Sequence, residues 1–444
     1  ADAGTLPVLE MIADLGTSLD TSAIAEPEAN DGPGLALAPY RLNLGRGTGI
    51  GSNMYGFGAD ATGAPSGVLF GNPHWYWKGP DRFYQQQLTL PGQIDAGGVS
   101  FLGLPFILIG FNNQVAWSHT VSTARRFGLY QYTLDPADPT RLMIDGSSTP
   151  LTAAEITVAV RQASGEVTEV SRTLYRSPHG PMINLGALDP ALAWSPAMAF
   201  AIRDVNEANY RTYASWLGWA RAGSLAEFID IQRRYSAVPW VNTVAAGRDD
   251  PQVWYADIGN IPNVPDAVVQ ACTTAIGQAI AGALPGTPVL DGSKSDCDWR
   301  SDPDSVQPGS LGPARMPSLR RRDYVANMND SYWLANPADP LTGFPAIIGS
   351  TTEPQSLRTR MGHTMARERL AGTDGYAGRF ATPELIREMV LDSRNYSAET
   401  LRPQVLSDVC AGQAELAEAC AILQAWDGRG HAGSRGAILW QAFW

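Results

Sequence analysis

Lysine is almost missing from this chain of 444 residues: Lys78 and Lys294 are the only two among 32 basic side chains, against 44 acidic ones. We read the scarcity itself as base composition. The formal net charge of −12 argues against a nucleic acid as partner, because a phosphate backbone needs a basic face. No apolar run approaches the roughly 18 residues of a membrane span, so none is expected. Cysteine is scarce too, with four residues and no CxxC spacing, which leaves zinc without its usual ligand pattern. There is no Walker loop, no GxGxxG after a strand, no HExxH and no GxSxG. Nucleotide, dinucleotide, zincin and α/β-hydrolase chemistry all lose their signatures. Neither cofactor nor metal is expected.

Cys272 and Cys297 flank a Gly/Pro-rich stretch, and Cys410 and Cys420 bracket a helical one. Four cysteines allow three pairings. We expect the local one, with four buried free thiols as the alternative. Two disulfides would place the protein outside the cytoplasm, secreted or periplasmic. The start at Ala1, with no Met and no visible signal peptide, reads as processed or excised.

Residues 1–51 divide into an apolar helical stretch, Val8–Leu19, and a cuttable linker, Pro27–Pro39. From Ser52 the pattern becomes short strands: 52–58, 67–71, 101–111, 114–121, 129–134, 156–160 and 171–175. Helices follow. Ser224 to Glu227 forms a capping box opening a helix to about Arg234. Thr382-Pro383-Glu384 caps another, and Gln413–Trp426 is an alanine-rich third. Residues 262–317 read as a surface excursion. The mixture predicts a layered α+β fold, with 1–51 as a segment removed or cut at Gly51–Ser52 and 52–444 as the catalytic unit.

The chemistry is sought first at Gly51-Ser52-Asn53. A serine freed by cutting the Gly51–Ser52 bond would carry both a nucleophile and a base. Its α-amine has a pKa of about 7.7–8, so it accepts a proton near neutral pH without histidine. Glycine at 51 would let the backbone adopt the strained geometry for Ser52 Oγ to attack the preceding carbonyl. On residues alone, a Gly-Ser step is most often a turn, His74 after Asn72-Pro73 is as often structural as functional, and Asn327-Met328-Asn329 is an Asx turn. Ser118 and His119 are adjacent in a strand and cannot face each other. Val121 can offer only its backbone N–H. Trp75 and Trp77 are more often core than substrate wall, and Arg358 is a surface arginine unless something buried pairs with it.

Taken together, Gly51-Ser52-Asn53, Gly71-Asn72-Pro73-His74, Ala116-Trp117-Ser118-His119-Thr120-Val121, Pro239-Trp240-Val241-Asn242 and Asn329-Asp330-Ser331-Tyr332-Trp333 resemble the penicillin acylase family of N-terminal nucleophile hydrolases. The nearest branch is that of the acyl-homoserine lactone and aculeacin A acylases. The resemblance implies a four-layer αββα sandwich, here incomplete at both ends. It implies Ser52 as nucleophile, with self-cleavage between Gly51 and Ser52. His74 would organise the amine, Val121 N–H and Asn329 would form the oxyanion hole, and Arg358 would support the site. Trp75, Trp240 and Asn242 would contact substrate. Both local cysteine pairs fall where this branch forms disulfides. Ala124 stands near a calcium-ligating carboxylate of the true penicillin acylases, which again implies no metal.

The implied partners are an acyl-amide substrate and an α-chain segment of the same precursor. The implied activity is removal of a long acyl chain from an N-acyl-homoserine lactone or a lipopeptide. The alternatives are a penicillin-type acylase, or an inactive relative that only binds an apolar ligand.

Overall fold

The computed structural model describes residues 51–78, 81–187 and 189–444. The expected helix at Val8–Leu19 and the linker at Pro27–Pro39 lie outside them. The fold is mixed α/β with several sheets. Seven strands follow the start: β1 (Gly51–Phe57), β2 (Val68–His74), β3 (Phe83–Leu90), β4 (Ile94–Phe101), β5 (Ile109–Asn112), β6 (Val115–Val121) and β7 (Phe127–Tyr132).

β1 is the middle of a three-stranded antiparallel sheet, between β2 and Tyr324–Asn327. Its period-two alternation sends residues to two different cores. Met54 joins the main core with Trp117, Val244 and Trp254. Tyr55 and Phe57 face the other way, into a cluster with Met361, Met365 and Ala366 of the Leu357–Ala371 helix.

The three-stranded sheet packs on a seven-stranded one ordered Ser318–Arg321, Val253–Ala256, Val241–Gly247, β6, β5, β4, β3. On the far side of that sheet, Trp216 and Trp219 of the Arg211–Trp219 helix meet Phe106, Trp117, His119 and Phe228. The following helix, Leu225–Tyr235, begins as expected, with Ser224 Oγ accepting from Glu227 N. Thr382 likewise caps Pro383–Leu391.

Several expectations need correction. Residues 101–111 are not one strand. β4 ends at Phe101 and β5 starts at Ile109, with Phe106, Ile107 and Leu108 buried between them as irregular chain. The apolar run reflects burial on the main core, not pairing. The 262–317 stretch is not merely a surface excursion: Val264, Leu290, Trp299 and Leu311 belong to the core, and Val289–Asp291 pairs in parallel with β7. The third helix is shorter than 413–426, with a 3-10 turn at Ala414–Leu416 before Ala417–Ala425. Both local disulfides are present, Cys272–Cys297 and Cys410–Cys420, with Cα separations of 5.6 and 5.7 Å.

Candidate active site

Ser52 is the second residue of β1 and is 3% exposed. Its Oγ–H donates to the Gly51 carbonyl oxygen, so the hydroxyl sits beside the bond it is expected to cut. Its N–H donates to Asn329 Oδ1 at 2.6 Å. Gly51 pairs with His74 as the first residue of β1. What it lacks is room: a Cβ there would lie 3.2 Å from Arg358 Nη2, 3.3 Å from Asn329 Oδ1 and 3.4 Å from His74 Nδ1. Three of the expected site residues therefore converge on one Cα.

Asn329 holds a left-handed backbone, φ +71°, a conformation asparagine tolerates better than most residues. The expected Asx turn is present in this segment. Asn327 Oδ1 accepts from Asn329 N at 2.8 Å and so sets the turn that aims Asn329. The Asn329 amide is then used at both ends. Oδ1 accepts from Ser52 and, at 2.9 Å, from Arg358 Nη2. Nδ2 donates to Val121 O at 3.2 Å. An amide NH2 carries two hydrogens, so one remains to be placed.

Val121 closes β6. Ser122 N donates to Trp240 O, so by antiparallel alternation both the N–H and the C=O of Val121 point away from that neighbour. They point to the side where Asn329 Nδ2 sits, and β5 pairs only as far along β6 as Trp117.

Arg358 lies in the first turn of the Leu357–Ala371 helix, whose N-cap is Ser356. It is no loose surface arginine. Nη1 donates to Ser52 O at 2.6 Å and to Asn53 Oδ1 at 2.7 Å. His74 is half-buried in β2; burial, and after it the Arg358 charge, hold its pKa below the ordinary histidine value. Both effects favour the neutral ring.

A cavity of about 80 Å³ opens at Ser52, walled by Trp75, Phe83, Phe101, Trp216 and Trp240, with His119 and Val121 at the β6 side. Trp75 is fixed by its Nε1 donating to Asp81 O at 2.7 Å and by rings at Phe83 and Phe101. Trp77, its neighbour, is 94% exposed and plays no part in the wall. Phe83, Phe101, Trp216 and His119 were missed as wall residues. An aromatic at each of several strand ends was the only available signal. Burial pushes His119 down to about 4, so it too is neutral.

Asn242 is the one candidate the structure moves off the substrate side. It is 1% exposed. Its Nδ2 donates to Thr120 Oγ1 at 3.1 Å and Val121 O at 3.3 Å, and Tyr255 O–H donates to its Oδ1 at 2.8 Å. It underpins Val121 instead of touching a ligand. Among the described residues no group of three or more His, Cys, Asp or Glu could hold a metal ion, and no helix is long and apolar enough to cross a membrane.

Comparison with known proteins fits this geometry. Over 428 residues the chain is 42% identical to aculeacin-A acylase of Actinoplanes utahensis, covering 94% of this chain and 52% of that one. Over 382 residues it is 40% identical to the acyl-homoserine lactone acylase PvdQ of Pseudomonas fluorescens, covering 85% and 47%. It spans about half the length of the curated relatives it matches. A thermostable penicillin G acylase from Alcaligenes faecalis is similar in fold, with a TM-score of 0.58 at 17% identity over 86% of this chain and 60% of that one. The penicillin amidase family model matches residues 7–444, and the chain belongs to that family.

Proposed function

We propose that this protein is an N-terminal serine acylase that removes an apolar acyl group from an amine headgroup. The observation that carries the reading is the convergence of Ser52, Asn329, Val121 and Arg358 beside an apolar cavity. Cleavage of Gly51–Ser52 would free the Ser52 amine, already directed at Asn329 Oδ1. Ser52 Oγ then attacks the substrate carbonyl while the amine takes its proton. The oxyanion forms between Val121 N–H and the second Asn329 N–H. The amine returns the proton to the leaving nitrogen, and water hydrolyses the ester.

The helix, sheet, sheet and helix packed in succession around β1 support the four-layer αββα arrangement. N-acyl-homoserine lactones and lipopeptides are the proposed substrates, which would make quorum quenching one outcome; penicillin G is the alternative. The two disulfides support a secreted or periplasmic location. A complete site would also draw on an α-chain segment of the same precursor. N-terminal sequencing of the heavy fragment, with amine release from N-acyl substrates, tests the proposal. It expects Ser at position 1 and turnover that Ser52→Ala, uncut, lacks. A different first residue would sink the mechanism.

A further inference from the structure

Four buried polar side chains, Tyr255, Asn242, Thr120 and Asn327, form a hydrogen-bonded chain whose polarity follows from the backbone. Asn329 N–H is a donor, so the Asn327 atom 2.8 Å from it is the amide oxygen. Asn327 Nδ2 in turn donates to Asp330 O at 2.9 Å. Thr120 Oγ1 lies 2.6 Å from that same Asn327 oxygen, and two oxygens bond only if the hydroxyl spends its single hydrogen there. The donor to the hydroxyl is Asn242 Nδ2 at 3.1 Å. The Asn242 oxygen then accepts from Tyr255 O–H at 2.8 Å.

This chain joins two segments 207 residues apart in sequence. Thr120 directly precedes Val121 in β6, and Asn327 sets the turn that aims Asn329. One carboxamide oxygen therefore takes a hydrogen from the β6 strand and another from the Asn329 backbone. Were the Asn242 amide reversed, its oxygen would compete with Asn327 for the one hydrogen of Thr120. Tyr255 O–H holds it the other way. Buried networks of this kind specify a single arrangement only when every member is satisfied. Tyr255, Asn242 and Asn327 do not line the apolar cavity at Ser52; Thr120 does, while its hydroxyl is bonded to Asn327.

We propose that Thr120 and Asn327, held in turn by Asn242 and Tyr255, are positioning residues that fix Asn329 relative to Val121 for oxyanion stabilisation. The inference rests on the acylase reading. None of the four side chains donates to the oxyanion; they act through Asn329. Complete loss of an oxyanion donor costs about 10²–10³ in kcat. Loosening that donor through Thr120 should cost less, about tenfold, because a misplacement of an ångström costs up to about 10²-fold. KM should hardly move, since the donor is used when charge develops.

The test measures kcat and KM per processed active site on one N-acyl-homoserine lactone. Thr120→Val keeps the branched shape and removes the hydroxyl; Thr120→Ser keeps the hydroxyl. Thr120→Val should lower kcat about tenfold with KM within about twofold, and Thr120→Ser should stay within about threefold of wild type. In an Asn329→Ala background the same Thr120→Val step should cost about twofold or less, because the donor it positions is already gone. Tyr255→Phe removes only the far hydroxyl and serves alone if Thr120→Val does not fold. It should lower kcat about threefold, the weight of one ordinary hydrogen bond, and have no effect in the Asn329→Ala background. A kcat within about twofold of wild type in both variants, a loss confined to KM, or a loss that Asn329→Ala leaves undiminished overturns the positioning role and leaves the acylase reading standing. A wild type that turns over no N-acyl amine overturns the acylase reading, and the positioning role with it.

Discussion

Replacing Asn329 separates the two ends of one amide. Oδ1 receives Ser52 N–H and Arg358, while Nδ2 donates to Val121 O and, in the proposed mechanism, to the developing oxyanion. Asn329→Asp keeps the shape and the acceptor but substitutes a charged oxygen for the donor. Asn329→Ala removes both ends. Loss of one oxyanion donor costs about 2.7–4 kcal/mol, or 10²–10³ in kcat. Asn329→Ala should fall in that range, with KM little changed. Asn329→Asp should fall further, because its charge opposes the one that forms. Backbone supplies a control. At φ +71° alanine adds roughly 1–2 kcal/mol of strain that glycine does not, so Asn329→Gly should be more stable than Asn329→Ala yet equally inactive. The assay is kcat per processed active site, with the cut fraction measured first on a denaturing gel. Asn329→Asp retaining activity within about threefold of wild type would refute the donor role.

Removing the Cys272–Cys297 bridge should cost about 3–4 kcal/mol and removing Cys410–Cys420 about 2–3, from separations of 25 and 10 residues in the chain-entropy account; urea melts of Cys→Ala pairs check both. Burial holds His119 and His363 near 4, below the unfolded value of about 6.5. Stability is therefore complete above pH 6.5 and lost as pH falls towards 4, because only the unfolded state then binds the protons. The loss should be about 2 kcal/mol per histidine between pH 7 and 5; a midpoint that His363→Gln leaves equally acid-sensitive would contradict the assignment. Along an N-acyl series from butanoyl to dodecanoyl, kcat/KM should rise nearly fourfold per CH2 while the aromatic cavity fills and then level. Trp240→Ala should move the plateau to longer chains, and a profile flat from the start would remove the apolar pocket.

Ser52, His74, Val121 and Asn329 stood out through the family resemblance that their motifs carry, not through their chemistry alone, and the structure brings them together around Gly51 and Asn329. The helix starts at Ser224 and Thr382 were legible for a local reason, a capping box at the first and an N-cap followed by proline at the second. What failed was non-local. Phe106 to Leu108 carry a strand-like apolar run, but a strand needs a partner, and here the main core takes that surface instead. Asn242 is polar and lies next to Trp240, yet strand alternation turns it inward to Tyr255 and Val121. Arg358 could not be told from Arg360 by composition: two residues along the helix decide which guanidinium meets Ser52. The buried role of 262–317 is set by pairing with β7, more than 150 residues earlier.

A new chain end normally frays, because nothing upstream restrains it. An end made at Ser52 would begin differently. The Ser52 carbonyl and the Asn53 amide are held by Arg358, and β1 is hemmed by strands on both sides. Cutting the peptide bond would therefore release a charge without releasing the residue that bears it. The amine would inherit its position from the uncut chain, and catalytic alignment would require no later ordering step.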